Sequence, residues 1–320
     1  MTDADARHRG GSIDVGRVAA LLAERLGGII EAVEPARQGE WSQAYFFRQD
    51  GQEYVVRFGA NLGDFAKDRH AVQYRSPALP IPRIIEIGEA FGGHYAISER
   101  LFGAYIDGIG EAQMRALLPS LFAALEAMRQ ADISDTSGYG SWGADGSAPF
   151  ASWQDALLDV GLDRPGDRIA GWRARLDASA DGGQSFDRAY ARLQELAIFS
   201  PSERHLIHSD LLHFNVLVSE DRIAGVFDWG CGLYGDFLYD MAWFCFWAPW
   251  YPAWNAIDFR QEAQQHYARI GLDVPHFAER LRACQLHIAL GGQAYQAYKG
   301  YASELAWTVQ RTRDVLDGVS

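Results

Sequence analysis

Four polar residues at fixed spacing are the strongest indication of chemistry in this sequence. They are His208, Asp210, Asn215 and Asp228. Two apolar segments, residues 216–219 and 222–227, lie between the last two of them and flank a short polar turn, a pattern that predicts a β-hairpin. Because the two ends of a hairpin lie side by side, we expect Asn215 and Asp228 to converge on one point.

Asn215 and Asp228 offer oxygen ligands of the kind that a hard divalent cation prefers. Mg²⁺ takes few protein oxygens and fills the rest of its octahedral shell with water and phosphate oxygens. Asp210 lies at the other end of the loop that leads to Asn215, and it is therefore placed to meet a substrate hydroxyl near the metal. A second interpretation makes His208, Asp210 and His213 the ligands of Zn²⁺ or Fe²⁺, but it leaves Asn215 and Asp228 without a role.

The spacing resembles the catalytic loop of kinases, H-x-D-x-x-x-x-N, which is followed after a hairpin by a metal-binding aspartate. Asp228 is followed by Trp229 rather than by Phe-Gly, and Asp-Trp in this place resembles the aminoglycoside phosphotransferase family. The resemblance implies a phosphoryl transfer from ATP or GTP that depends on Mg²⁺. It makes Asp210 and His208 the catalytic residues, with Asp210 accepting the proton of the substrate hydroxyl.

The elements that must position these residues fall into two groups. Five β-rich segments, residues 29–34, 43–48, 53–58, 83–89 and 94–99, and one helix after the third, residues 63–75, occupy the first part of the chain. After Leu101 the pattern is mostly helical. We therefore expect an α+β, bilobal, protein-kinase-like fold, with a small antiparallel β lobe that carries one helix and a larger, mostly helical lobe. Residues 1–99 would be the nucleotide-binding lobe, with 1–12 a flexible tail, and residues 100–320 the catalytic and substrate-binding lobe.

A kinase needs a cation on its third strand to hold the nucleotide phosphates. The two lysines of the chain, Lys67 and Lys299, lie outside the predicted strands. Arg57 is therefore the candidate, and its planar guanidinium can bind phosphate through two hydrogen bonds. The helix that follows should carry an acid to pair with it, and Asp68 is the first candidate, with Asp64 the second.

Two backbone segments would complete the nucleotide site. The polar turn of residues 37–43, which contains Ser42, lies between two predicted strands, where a phosphate can rest. By resemblance to the family, the last strand of the small lobe leads into a hinge whose main chain binds adenine. The resemblance gives those main-chain contacts to Glu99 and Leu101.

Aromatic residues after the hairpin are candidates for the substrate site. Four tryptophans recur there at helical spacing, at positions 243, 247, 250 and 254, and they form either a packed core or a wall for sugar rings. We take Trp247, Trp250 and the nearby Tyr251 as the wall. Scattered segments over most of the chain resemble the members of the family that act on hygromycin B, so this aminoglycoside is the expected substrate. The family pattern also implies that Asp236 and Asp240 brace the catalytic loop.

The composition narrows the class of partner. The 320 residues include 29 basic and 42 acidic side chains, a net charge of −13, which disfavours nucleic acid and would attract a cationic substrate. Three cysteines without a C-x-x-C pair and no visible secretory signal or membrane span predict a cytoplasmic protein with no membrane partner, a monomer or weak dimer. The alternatives are a kinase of a macrolide, choline or a sugar amine, and a catalytically inactive nucleotide-binding module.

Overall fold

The computed structural model describes residues 13–180 and 182–318, so the predicted tail of residues 1–12 lies outside the described residues. The small lobe is built on one antiparallel sheet with strand order β1-β2-β3-β5-β4. Its strands are β1 (Ile30–Pro35), β2 (Ser42–Gln49), β3 (Gln52–Gly59), β4 (Ile84–Ala90) and β5 (Gly93–Glu99). The predicted five-stranded sheet is thereby confirmed.

Short-range signals explain why these strands form. Asp50 and Gly51 both have positive φ, 51° and 75°, as the tight turn between β2 and β3 requires. Helix α1 (Val15–Leu26) begins at Asp14, whose carboxylate accepts a hydrogen bond from the Arg17 backbone N–H. This helix covers one face of the sheet with apolar side chains of its inner stripe.

One helix is inserted after the third strand, as predicted. Helix α2 (Leu62–Ala71) begins at the capping side chain of Asn61 and ends in a single 3₁₀ turn, Val72–Tyr74. Two consecutive charged side chains on this helix, Lys67 and Asp68, are buried. They face the larger lobe, where the metal-binding segment is expected.

The larger lobe is mostly helical and encloses one extensive apolar core. Its helices are α3 (Glu111–Arg129), α4 (Trp153–Leu158), α5 (Trp172–Asp177), α6 (Gly182–Leu196), α7 (Leu238–Trp247), α8 (Phe259–Arg269), α9 (Phe277–Lys299) and α10 (Ala302–Asp317). Helix α9 is central, since it packs against α5, α6, α7 and α10. No helix in the described parts of the chain is both long and apolar enough to cross a membrane.

Two small sheets carry the candidate site. The predicted hairpin forms from β9 (Val216–Ser219) and β10 (Arg222–Val226), with β6 (Ala104–Tyr105) pairing alongside β9. The second sheet has the order β7-β11-β8, from Gly140–Ser141, Leu233–Gly235 and His205–Ile207. Strand β8 runs directly into His208, and β11 begins just after the segment that follows Asp228.

The helical spacing of the four tryptophans is broken in the structure. Helix α7 ends at Trp247 because two prolines follow it. Pro249 lies inside the 3₁₀ turn Ala248–Trp250, and Pro252 begins the next 3₁₀ turn, Pro252–Trp254. Trp250 and Trp254 therefore lie on two different turns. Their surroundings differ accordingly, since Trp250 is exposed and Trp254 is buried.

Candidate functional site

The predicted catalytic loop, residues 208–215 between β8 and β9, has a strained backbone that is fixed by two carboxylates. Ser209, His213 and Phe214 have positive φ of 63°, 58° and 71°, a region that non-glycine residues seldom adopt. At the start of the loop, Asp240 accepts hydrogen bonds from the backbone N–H groups of His208 (2.9 Å) and Ser209 (2.7 Å). Burial raises the pKa of Asp240 to about 7, although these hydrogen bonds act in the opposite direction.

Asp107 fixes the other end of the loop. Its carboxylate accepts the backbone N–H groups of His213 and Phe214, each at 2.8 Å, and the Tyr251 hydroxyl at 2.7 Å. Sequence reasoning missed Asp107, because it lies 106 to 144 residues before its partners and belongs to no recognisable motif. The predicted substrate residue Tyr251 is thus tied to the catalytic loop.

The other half of the aspartate pair acts elsewhere. Asp236 is buried and forms a two-point ion pair with Arg280 of α9, at 2.8 and 2.7 Å. It also accepts the Leu238 backbone N–H at 3.0 Å. Within the described parts of the chain, Asp240 hydrogen-bonds the loop and Asp236 does not, so the expectation that both brace it is wrong for Asp236.

His208 is fully buried, and main-chain groups engage both of its ring nitrogens. Nδ1 accepts the Asp210 backbone N–H at 3.2 Å, which makes Nε2 the protonated nitrogen that donates to the Phe227 carbonyl at 3.1 Å. Burial lowers the pKa of this imidazole, so it stays neutral. Its ring has no free lone pair for a metal, which contradicts the interpretation of His208, Asp210 and His213 as a Zn²⁺ or Fe²⁺ site. The geometry also makes His208 a positioning residue rather than one that exchanges protons with substrate.

Asp210 is held by hydrogen bonds on both carboxylate oxygens. Oδ1 lies 2.8 Å from His213 Nδ1, and Oδ2 accepts from Asn215 Nδ2 at 3.0 Å. About a quarter of the side chain remains exposed. The carboxylate is therefore oriented and still open to a reacting hydroxyl.

Asn215 and Asp228 meet at the open end of the hairpin, as the sequence predicted. The Phe227 backbone N–H donates to the Asn215 carbonyl at 3.1 Å, which closes the hairpin directly beside Asp228. The Asn215 NH₂ group is turned to Asp210, so its side-chain oxygen is the atom left for a cation. Asp228 has a left-handed backbone, φ 65°, and a side chain that is 47% exposed. An amide oxygen and a carboxylate lining one cleft fit Mg²⁺.

Arg57 lies on β3 and contacts the Asp68 carboxylate of α2. Its Nη1 also lies 3.9 Å from Asp228 Oδ1. Burial alone would lower the pKa of Arg57, but the charges of Asp68 and Asp228 raise it above its ordinary value. Asp64, the second candidate for the pairing acid, instead lies 3.2 Å from Arg168.

A cleft of about 1650 Å³ opens between the sheet and the catalytic loop. It is lined by the turn before β2 and by Ser42, which the structure places at the start of that strand rather than in the turn. Arg57 and Asp68, the predicted hinge residues Glu99 and Leu101, and Asn215 and Asp228 line it as well. The structure therefore brings all the predicted nucleotide and metal residues to one cavity. The Glu99 carboxylate pairs with Arg75 and Arg83, and the Glu99 backbone N–H donates to the Arg83 carbonyl at 3.0 Å.

The turn before β2 is fastened to the larger lobe. The Glu40 carboxylate accepts hydrogen bonds from the hydroxyls of Tyr295 and Tyr301 and lies 3.4 Å from Lys299 Nζ. The same ammonium lies 3.9 Å from the ring centre of Trp41. This contact joins the predicted phosphate turn to the end of α9, and no sequence motif indicated it.

The residues predicted to form the aromatic wall lie beside the catalytic loop. The Trp247 ring stacks on Trp307 with centres 5.4 Å apart and lies edge-on to His213 at 5.3 Å. Trp250 is 44% exposed and edge-on to the same Trp307 at 4.9 Å. Trp247 is buried, so the exposed surface of the wall is mainly Trp250. Trp307 of α10 was missed by sequence reasoning.

The family model described as "Phosphotransferase enzyme family" (APH) matches residues 32–278. The chain is 30% identical over 299 residues to hygromycin-B 4-O-kinase from Escherichia coli, covering 92% of this chain and 83% of that protein. These matches cover both lobes and all four residues of the catalytic pattern.

Solved structures agree with these matches. A thermostable variant of APH(4)-Ia in ternary complex with AMP-PNP and hygromycin B is 29% identical, covers 94% of this chain and 98% of that chain, and superposes with a TM-score of 0.81. APH(4)-Ia itself has a TM-score of 0.82 at 29% identity, over 96% and 100% of the two chains. A GDP complex of aminoglycoside 2′-phosphotransferase-IIIa, 12% identical over 95% and 98% of the chains, shares the fold alone, with a TM-score of 0.66. The predicted bilobal, kinase-like fold is confirmed, and the chain belongs to the phosphotransferase enzyme family.

Proposed function

We propose that this protein transfers the γ-phosphoryl group of ATP or GTP to a hydroxyl of an aminoglycoside, hygromycin B, and so confers resistance to it. The observation that carries the proposal is the Asp210 carboxylate, held between His213 and Asn215 beside the Asp228 end of the hairpin. The 30% identity to a hygromycin-B kinase over most of the chain supports the choice of substrate.

Asp210 orients the hydroxyl and accepts its proton, while His208 keeps Asp210 in place. Asn215 Oδ1 and the Asp228 carboxylate would hold Mg²⁺, which when bound neutralises charge on the nucleotide phosphates. Arg57 is placed to hold the same phosphates and is oriented by Asp68. Transfer without covalent help from the protein depends on such positioning and charge stabilisation.

The remaining nucleotide contacts come from the small lobe, residues 1–99. Ser42 and its turn receive the phosphates, and the main chain at Glu99 and Leu101 receives adenine or guanine. All three line the same cleft as Arg57. Residues 100–320 then carry the catalytic loop and the substrate wall.

An acidic chain with an aromatic wall beside the catalytic loop suits a polycationic sugar. The chain has a net charge of −13, and electrostatic attraction raises the local concentration of a cation. Trp250 provides the main exposed face for a sugar ring, and Trp247 and Tyr251 complete the wall beside it. Because the reaction uses nucleoside triphosphate, we place the protein in the cytoplasm. We expect it to be a monomer or weak dimer.

A substrate panel tests the proposal. The purified chain is incubated with ATP or GTP and Mg²⁺ and with hygromycin B, other aminoglycosides, a macrolide, choline or a sugar amine, and phosphorylated products are read by mass spectrometry. We expect phosphorylated hygromycin B with the wild type and its loss with Asp210→Asn. Turnover of choline or a macrolide alone would establish the alternative kinase. Nucleotide binding without any transfer would indicate an inactive binding module.

A further inference from the structure

Lys67 is a buried lysine whose ammonium is satisfied by uncharged acceptors. Its Nζ donates to the carbonyls of Gly230 (2.8 Å) and Gly232 (3.2 Å) and to the Ser141 hydroxyl (3.1 Å), and it lies 5.0 Å from the ring centre of Trp142. Only 6% of the residue is exposed. Burying an ammonium is costly unless its donors are fully used, and here three acceptors surround it.

The acceptors belong to the segment that follows the candidate metal ligand. Gly230 and Gly232 come directly after Asp228 and Trp229, and the neighbouring helix residue Asp68 accepts the Trp229 backbone N–H at 2.8 Å. Helix α2 therefore holds three main-chain groups within residues 229–232, two through Lys67 and one through Asp68.

The third acceptor links this clamp to the catalytic loop. Ser141 pairs with Leu233 in the sheet β7-β11-β8. Strand β11 follows Gly232, and strand β8 leads into His208. Lys67 thus joins a helix of the small lobe to the sheet from which both functional segments extend.

The backbone at Asp228 needs such support. It is left-handed, with φ 65° and ψ 64°, and a residue with a side chain keeps that conformation only where its surroundings impose it. The side chain is half exposed, so the backbone on either side must aim it. On the C-terminal side that restraint comes from residues 229–232.

We propose that Lys67 is a positioning residue for phosphoryl transfer: its ammonium clamps the 230–232 carbonyls and so fixes the Asp228 carboxylate toward the cleft. The inference rests on the proposed role of Asp228 toward Mg²⁺ and nucleotide. An apolar side chain of equal length could fill the space against Trp142 but could not hold either carbonyl.

The test compares Lys67→Met and Lys67→Gln with Arg69→Met, which removes a cation from an exposed position of the same helix. Nucleotide affinity is measured by calorimetry with and without Mg²⁺, and circular dichroism and melting temperature report folding. We expect Lys67→Met to weaken Mg²⁺–ATP binding by about tenfold or more, a loss of about 1.4 kcal/mol. Affinity for metal-free ATP and for hygromycin B should change by less than about twofold, as should every affinity in Arg69→Met. Lys67→Gln, which keeps a donor, should fall between Lys67→Met and the wild type.

Several outcomes overturn the inference. A folded Lys67→Met or Lys67→Gln protein with wild-type affinity for Mg²⁺–ATP does so. Equal losses for all three ligands, or failure of both variants to fold, assign Lys67 to the general structure instead. A wild type that binds Mg²⁺–ATP but phosphorylates no aminoglycoside refutes the proposed function, while the binding data still decide the role of Lys67.

Discussion

Arg57 and Asp68 form a largely buried ion pair, with side chains 16% and 6% exposed, that joins strand β3 to helix α2. The second oxygen of Asp68 accepts the Trp229 backbone N–H at 2.8 Å, so one carboxylate orients both the phosphate cation and the segment after Asp228. Removing one partner of a buried ion pair leaves an uncompensated charge and typically costs about 3–5 kcal/mol. The two residues should therefore behave as one unit.

Substitution of Arg57 tests that unit. Arg57→Ala should strongly reduce kcat/KM for the nucleotide, because no other strand cation faces Asp228 in the described residues. Arg57→Lys should retain activity above Arg57→Ala but below the wild type, since lysine keeps the charge and loses the planar fork. Asp68→Ala should add little in the Arg57→Ala background, which a double-mutant cycle measures. Near-wild-type activity in both Arg57 variants would contradict the phosphate role.

Asp228 should be essential for metal-dependent nucleotide binding. Asp228→Ala removes an anionic ligand that lies beside the hairpin end and 3.9 Å from Arg57. We expect turnover to vanish and the Mg²⁺-dependent part of ATP affinity to be lost in calorimetry, while metal-free ATP binding persists. Unchanged Mg²⁺–ATP affinity together with continued turnover would remove Asp228 from the metal site.

Asp210 should control the chemical step rather than binding. Asp210→Asn keeps the shape and the contact with Asn215 but removes the base, and loss of a general base typically costs about 10²–10⁴ in rate. We expect kcat to fall by that factor with little change in nucleotide Kd. Steady-state kinetics check this, and a variant that keeps more than about half of the wild-type kcat contradicts the assignment.

Local signals explain what the sequence could predict. The turn at Asp50–Gly51, the alternation along the strands and the offsets from His208 to Asp228 all act within a few tens of residues. They led correctly to the sheet, the hairpin and the convergence of Asn215 and Asp228. The pairing of Arg57 with Asp68 was also accessible, because both follow the order of the kinase elements.

Contacts between distant segments were not predictable from one sequence. Asp107 binds backbone groups more than a hundred positions away, and Glu40 meets Lys299 across the two lobes. The residues next to Asp107, Glu40 and Lys299 in the sequence form no motif that would indicate these contacts. The helical spacing of the tryptophans failed past Trp247 for a local reason, the two prolines, whose effect on the helix outweighed the apolar periodicity.

A histidine away from the site should shape the pH dependence of stability. His287 of α9 lies 2.8 Å from the Tyr239 hydroxyl, and burial lowers its pKa from 6.5 to about 4. Between these values the unfolded chain binds more protons than the folded one, so stability falls as the pH drops from 6.5 to 4. His287→Gln should reduce the slope of the unfolding free energy against pH in this range. The reduction is at most about 1.4 kcal/mol per pH unit, which corresponds to one proton. Urea unfolding across that range measures it, and equal slopes in both proteins contradict it.

Trp250 should act on the aminoglycoside alone. Its ring is 44% exposed and edge-on to Trp307, so Trp250→Ala removes a contact face without opening the core. We expect KM for hygromycin B to rise by about tenfold, with nucleotide KM and melting temperature nearly unchanged, because a ring stacked on a ligand contributes on the order of 1–2 kcal/mol.

Trp254→Ala is the matched control. Trp254 is 1% exposed and its indole N–H donates to the Ile109 carbonyl at 2.9 Å, so its loss should cost about 3–5 kcal/mol of stability. An unchanged KM for hygromycin B in folded Trp250→Ala would exclude Trp250, the main exposed ring of the wall, from the substrate site.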